Sequence, residues 1–258
     1  MKHRHHTTKS GEAPKGKTIS LLPSILTTAS LFSGFYSIIS SINGHFFHAA
    51  VAIIIAGIFD GLDGRVARLT GTTSNFGKEY DSLCDLISFG MAPAVLAYEW
   101  VLQPYGRYGW LAAFLYVATT ALRLARFNTQ DVKDAKKTFT GLPCPAAGAT
   151  IATALLFCKF FHLAGRHIEI SLVVAVYALS YLMVSSIPYQ SFKQAETQAK
   201  KAFQVLVAVV LLIMVLATEP QVTLFFLVLA YVLSGPLAAV YGLMVRDKKV
   251  VEEQEKLV

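Results

Sequence analysis

The sequence predicts an all-α, polytopic transmembrane bundle of about eight helices with both termini cytoplasmic, and three observations carry that reading. Only 15% of the 258 residues are charged, against about a quarter in soluble domains. The charges are also clustered: Leu21 to Phe59 contains no Asp, Glu, Lys or Arg, and Ala202 to Val245 contains only Glu219. Each run exceeds the roughly 20 apolar residues that a bilayer-spanning helix needs. The third observation is that basic residues fall on alternate connections between apolar segments. Strands with period-two alternation are missing, which argues against an outer-membrane barrel.

In chain order, residues 1–20 read as a polar cytoplasmic tail with five basic residues and one acid, Glu12. The apolar stretch that begins at Leu21 runs about 22 residues, too long for the apolar core of a secretory signal, so it is expected to be a retained helix. Apolar segments are expected near 21–42, 47–69, 82–101, 108–127, 145–163, 168–188, 202–218 and 222–244, with a cytoplasmic tail over 246–258. Connections at 43–46, 102–107, 164–167 and 219–221 are short; those at 70–81, 128–144 and 189–201 are longer and polar. On the side shared by both termini lie 20 of the 23 Lys and Arg residues, leaving Arg107, Lys159 and Arg166 for the other. The positive-inside rule therefore places both termini and the long connections in the cytoplasm. Topology and an anionic lipid surface account for the net charge of +7, so no nucleic-acid partner is called for. Cys84, Cys144 and Cys158 lie in or beside apolar segments without CxxC spacing and read as small apolar fillers.

The most informative stretch runs from Asp60-Gly61-Leu62-Asp63-Gly64 through Arg68, followed by Gly77-Lys78-Glu79-Tyr80-Asp81 and Asp85. Asp60 and Asp63 are three apart and Asp81 and Asp85 four apart, so on helices each pair shares a face. At about 1.5 Å per residue, Asp60 lies roughly 20 Å from the outer end of the second segment, at headgroup depth on the inner side. Four carboxylates in a low-dielectric setting repel one another unless a cation is bound. Oxygen-only donors favour a hard divalent ion, Mg²⁺ or Mn²⁺. Gly61, Gly64 and Gly77 weaken a helix but let backbone or a phosphate approach.

These residues reproduce DxxDGxxAR, eight residues, then GxxxDxxxD, and the sequence thereby resembles the CDP-alcohol phosphotransferase family. The resemblance implies a membrane enzyme that moves a phosphatidyl group from a CDP-linked donor to an alcohol and releases CMP. It implies that Asp60, Asp63, Asp81 and Asp85 hold two divalent cations and that Asp85 is also the general base. Asp60, Gly64, Arg68, Gly77 and Thr27 correspond to donor-contacting positions. Ser24 and Ser30 stand where relatives commonly have Asn, so contacts of those asparagines are not carried over.

Three further strings resemble the serine-using branch of that family: Ser88-Phe89-Gly90-Met91-Ala92-Pro93-Ala94, Leu122-Arg123-Leu124-Ala125-Arg126-Phe127-Asn128, and Phe139-Thr140-Gly141-Leu142-Pro143-Cys144-Pro145. The implied substrates are CDP-diacylglycerol and L-serine. Serine carries a carboxylate, and Arg123 and Arg126 are suited to hold it through paired hydrogen bonds. Asn128 either orients the amino acid or caps its helix. The resemblance also implies a catalytic six-helix core over 21–188, two additional helices within 189–245, a homodimer, and a bacterial or archaeal cytoplasmic membrane. Phe225, Phe226 and Tyr231 read as lipid or packing contacts, while Ser185, Ser186, Pro188, Tyr189 and Lys193 read as structural.

Overall fold

The computed structural model describes residues 21–71, 74–129, 138–163, 165–190, 210, 214–215 and 218–255. Its helices are α1 (Leu21–Ile42), α2 (Phe46–Leu69), α3 (Asn75–Tyr105), α4 (Arg107–Thr129), α5 (Cys144–Phe160), α6 (Arg166–Val184) and α7 (Pro220–Glu255). The all-helical expectation holds for the bundle; the addition is a two-stranded antiparallel ribbon of β1 (Thr138–Thr140) and β2 (Pro188–Gln190). Among the described residues, five helices are long and apolar enough to cross a membrane, namely α1, α2, α3, α6 and α7. Shorter α5 is apolar as well, whereas Arg107, Arg123 and Arg126 make α4 more polar. The chain is thus an integral membrane protein. The expected segment at 202–218 lies largely outside the described residues.

α1 and α2 pack along a seam of small residues. Ser30, Ser33 and Ser37 of α1 are buried, and their hydroxyls donate to the Ala56, Ala52 and Ala49 carbonyls of α2 at 3.1, 2.8 and 2.9 Å. Without bulky side chains the backbones approach closely, and each hydroxyl finds an acceptor where water is absent. The return between the helices needs only Asn43–His45, with Gly44 at φ 74° closing it.

The connection to α3 is much shorter than the expected 70–81. Ser74 caps the helix by accepting the Gly77 N–H at 3.0 Å, so α3 begins at Asn75 and the whole GxxxDxxxD stretch is helical. A side chain at Gly77 would crowd that cap, its Cβ falling 3.1 Å from Ser74 Oγ. α3 then contains two wide turns, Leu86–Met91 and Tyr98–Leu102; at the first, the Ala92 N–H reaches back five residues to Ile87 O. Such π-helical turns insert one extra residue into a helix and re-aim what lies on either side.

Residues 88–93 of α3 are wedged among three helices. A Cβ on Gly34 of α1 would stand 2.6 Å from Ser88 Cα, Gly90 faces Thr120 of α4, and Gly148 of α5 faces Pro93 and Phe89. The ribbon pairs Phe139 with Tyr189 and delivers the chain into α5. Gly141, at φ 81°, donates to Ile187 O at 2.9 Å, and a side chain there would strike Met183 O. Tyr189 is 1% exposed, and burial together with nearby Tyr231 pushes its phenol up to about 12, so it remains a donor at any working pH. Helix α7 continues through Glu255, since residues 246–255 contain no Gly or Pro to end it.

Candidate active site

The end of α2 and the start of α3 bring the predicted acids together. Asp60, Asp63 and Asp81 each present a carboxylate oxygen, and these atoms all lie within 4.8 Å of one another. Asp85, one turn beyond Asp81, stands outside that trio but against Asp60, close enough for their carboxyl groups to hydrogen bond. Asp63 is buried and accepts the Thr27 hydroxyl at 2.6 Å, so α1 orients an acid of α2. Asp81 Oδ1 is buried and has no hydrogen-bond partner.

An orphaned carboxylate oxygen is costly in a low-dielectric setting, and three converging acids compound the cost. A hard divalent cation removes both penalties, and all donors here are oxygens, the set that Mg²⁺ or Mn²⁺ takes. The residues present therefore fit such an ion.

Around the trio, α2 offers an open glycine face. Nothing lies within 4 Å of where a Gly61 Cβ would be, and at Gly64 the nearest atom is Arg68 Nη1, at 3.4 Å. The Arg68 guanidinium thus folds back along its own helix and lies against the Gly64 face, a cation suited to pair with phosphate oxygens. Gly77 lies in the first turn of α3.

Arg123, on α4, contributes its charge to the Asp85 end of the site. Its Nη1 contacts Cys144 Sγ at 3.6 Å, while its Nε is buried without a partner. The guanidinium is held by the start of α5 and keeps donor capacity in reserve. Arg126, one turn further, is exposed. Asn128 is engaged within the protein: its side-chain amide donates to Glu79 Oε2 and Ser82 Oγ, both at 3.0 Å, and its backbone carbonyl accepts from Lys78 Nζ at 3.3 Å. This residue ties the end of α4 to the first turns of α3.

Sequence reasoning missed Glu79, Ser82 and Lys78 as that tie. It also missed Thr28, which shares a 2.9 Å hydrogen bond with Tyr80 across α1 and α3. Tyr231, read as a lipid or packing contact, lies within reach of the Arg123 charge. Its only sequence signal was a hydroxyl in an aromatic-rich segment.

Comparison with known proteins agrees with this geometry. The CDP-alcohol phosphatidyltransferase model matches residues 20–182. A CDP-diacylglycerol–serine O-phosphatidyltransferase of Helicobacter pylori is 39% identical over 187 residues, covering 72% of this chain and 79% of the relative. An archaetidylserine synthase of Methanothermobacter thermautotrophicus is 41% identical over 170 residues, 65% of this chain and 69% of its own. In Bacillus subtilis, a CDP-diacylglycerol–serine O-phosphatidyltransferase is 36% identical over 177 residues, 68% of this chain and 93% of its own. With the acids of its signature gathered on α2 and α3 and more than half its length matched, the chain belongs to the CDP-alcohol phosphatidyltransferase family.

Proposed function

We propose that the protein transfers the phosphatidyl group of CDP-diacylglycerol to the hydroxyl of L-serine, giving phosphatidylserine and CMP. The observation that carries this reading is the convergence of Asp60, Asp63 and Asp81, with an unpartnered Asp81 oxygen, beside an arginine that retains free donor capacity. The relatives named for serine transfer support the choice of acceptor.

In this reading Asp60, Asp63, Asp81 and Asp85 hold two divalent cations, Mg²⁺ or Mn²⁺. When bound, the ions neutralise charge on the pyrophosphate and on the departing CMP. Arg68, Gly64 and Gly77 receive the nucleotide diphosphate, and Thr27 contributes by fixing Asp63. Arg123 takes the serine carboxylate through two N–H groups, with Arg126 at the entrance. Asp85 accepts the serine hydroxyl proton as the oxygen attacks phosphorus. The new bond is serine O–P; the bond that breaks joins that phosphorus to the oxygen that leaves with CMP. Asn128 holds the α3–α4 junction around this pocket.

The same proposal sets eight spans, both termini and the site on the cytoplasmic side, a catalytic core over 21–188, two added helices within 189–245, and a homodimer in a bacterial or archaeal cytoplasmic membrane. The donor keeps its acyl chains in lipid while its pyrophosphate meets the carboxylates at headgroup depth.

The test is CMP release from CDP-diacylglycerol by purified protein, with and without L-serine and Mn²⁺. Release that requires both, with phosphatidylserine as product, is expected. Metal-dependent release with only glycerol phosphate, inositol phosphate or choline would keep the carboxylate reading and discard the serine pocket. Transport without CMP release would overturn both.

A further inference from the structure

Two tyrosine hydroxyls in this protein perform the same task. A proline inside a helix has no N–H, so the carbonyl four residues earlier loses its donor. Pro93 of α3 does this to Phe89, and Pro236 of α7 does it to Val232. In each case a tyrosine from another element supplies the missing proton. Tyr116 of α4 donates to Phe89 O at 3.1 Å, and Tyr189 of β2 donates to Val232 O at 3.1 Å. Both rings are buried, at 0% and 1% exposure, and Gly235 leaves the notch in which the Tyr189 ring sits.

The two locks differ in what they hold. Tyr189 pins α7 to the ribbon, beyond residues 20–182, which carry the family match. Tyr116 grips the wide turn Leu86–Met91, which directly follows Asp85. We infer that Tyr116 is a positioning residue for the metal-binding carboxylates of α3, acting through the Phe89 carbonyl to fix where the extra residue of the wide turn resides.

The physical argument is one of register. From the middle of the turn onward, residues 88–93 are wedged: Ser88 lies against Gly34, Gly90 against Thr120, and Phe89 and Pro93 against Gly148, so this half of α3 cannot rotate. Before the turn, Asp81 and Asp85 hang from the same helix toward α2. Each residue of a helix subtends about 100°, so shifting the extra residue along the chain turns the acids relative to the wedged half. With Tyr116 in place, Phe89 O is satisfied where it stands. Without the hydroxyl, that buried carbonyl competes for the Ala94 N–H five residues on, and the hydrogen bonding between Asp85 and the wedged residues loses its fixed register.

This inference rests on the carboxylates being a divalent-metal site. Its test therefore reads metal binding directly, as the rise in unfolding temperature of the purified protein with Mn²⁺ concentration, alongside the Mn²⁺ dependence of CMP release. Tyr116→Phe is expected to raise the half-saturating Mn²⁺ in both readouts by about tenfold, the size of one hydrogen bond. Tyr189→Phe removes a bond of the same length and burial and is expected to lower the metal-free unfolding temperature while leaving the Mn²⁺ midpoint unchanged. Adding Pro93→Ala to Tyr116→Phe returns an N–H four residues after Phe89 and is expected to recover most of the Mn²⁺ response.

An unchanged midpoint in Tyr116→Phe, an equal shift in both tyrosine variants, or no recovery in the double variant overturns the inference. Wild-type protein that shows no Mn²⁺-dependent stabilisation at all overturns instead the metal reading beneath it. Should Tyr116→Phe not fold, Tyr116→Phe with Pro93→Ala carries the test alone, and a midpoint far from wild type overturns the inference.

Discussion

Two groups of buried polar side chains, one at the α1–α2 seam and one at the α2–α3 junction, are treated in opposite ways. Along the α1–α2 seam, Ser30, Ser33 and Ser37 are buried and each donates to a carbonyl of the facing helix. At the α2–α3 junction, Asp81 Oδ1 is buried with nothing to accept from, and Arg123 Nε nearby has nothing to donate to. The seam is polar chemistry closed upon itself and serves packing. The junction is polar chemistry left open, on acids of one sign, and its open valences mark what must come from outside.

The largest effect is expected where the open valence is removed. Asp81→Asn takes one negative charge from a trio within 4.8 Å and should cut CMP release by about a thousandfold or more. An ion held by the trio would stabilise the wild type by about 2.7 kcal/mol at a hundredfold excess over Kd. In Asp81→Asn that Mn²⁺-dependent rise in unfolding temperature should nearly vanish, while the metal-free protein becomes no less stable because a repulsion is gone. A variant that keeps the full metal response would mean the trio is not the site.

Asp85 is expected to separate binding from turnover at the same junction. It stands outside the trio, against Asp60. Asp85→Asn is expected to lower turnover by about 10²- to 10³-fold, the usual worth of a general base. Part of the Mn²⁺ stabilisation should persist, since the three clustered oxygens remain. Single-turnover kinetics beside a thermal titration reads both quantities. Near-normal turnover would remove the base assignment and leave Asp85 as a ligand only.

Much of this junction was legible in the sequence because acids three and four apart must share a helical face whatever surrounds them. The glycine face of α2 and Arg68 were legible for the same reason. Less so was the start of α3: polar residues 70–81 suggest a loop, yet Ser74 caps the helix at once and makes Asp81 helical. The wide turn after Asp85 has no sequence signature, because one inserted residue hardly changes an apolar pattern. Contacts between distant segments were also hidden, such as Asn128 with Glu79, 49 residues apart, and the ribbon pairing Phe139 with Tyr189. Local periodicity reports which residues share a face; only the packed structure reports which faces meet.

Arg123 makes a smaller prediction about the open end. Its guanidinium is anchored at Cys144 and has a buried, unpartnered Nε. Arg123→Lys keeps the charge but loses the two-point geometry. The serine KM should rise about tenfold, with the donor KM and the Mn²⁺ midpoint little changed. Equal rises in both substrate constants would assign Arg123 to the phosphate or to packing.

The smallest effect is expected at the closed seam, and it decides whether the contrast is real. Ser33→Ala removes a hydroxyl that donates at 2.8 Å to Ala52 O. Because that acceptor keeps its place in the helix ladder of α2, nothing buried is left without a partner. Interhelical hydrogen bonds of this kind are worth about 0.6 kcal/mol on average within a membrane. Ser33→Ala should therefore lower the unfolding temperature slightly and leave the serine KM, donor KM and Mn²⁺ midpoint at wild-type values. If the metal midpoint moves as well, the seam transmits to Asp63 through Thr27, on the same helix, and the two regions are one mechanical unit instead of two.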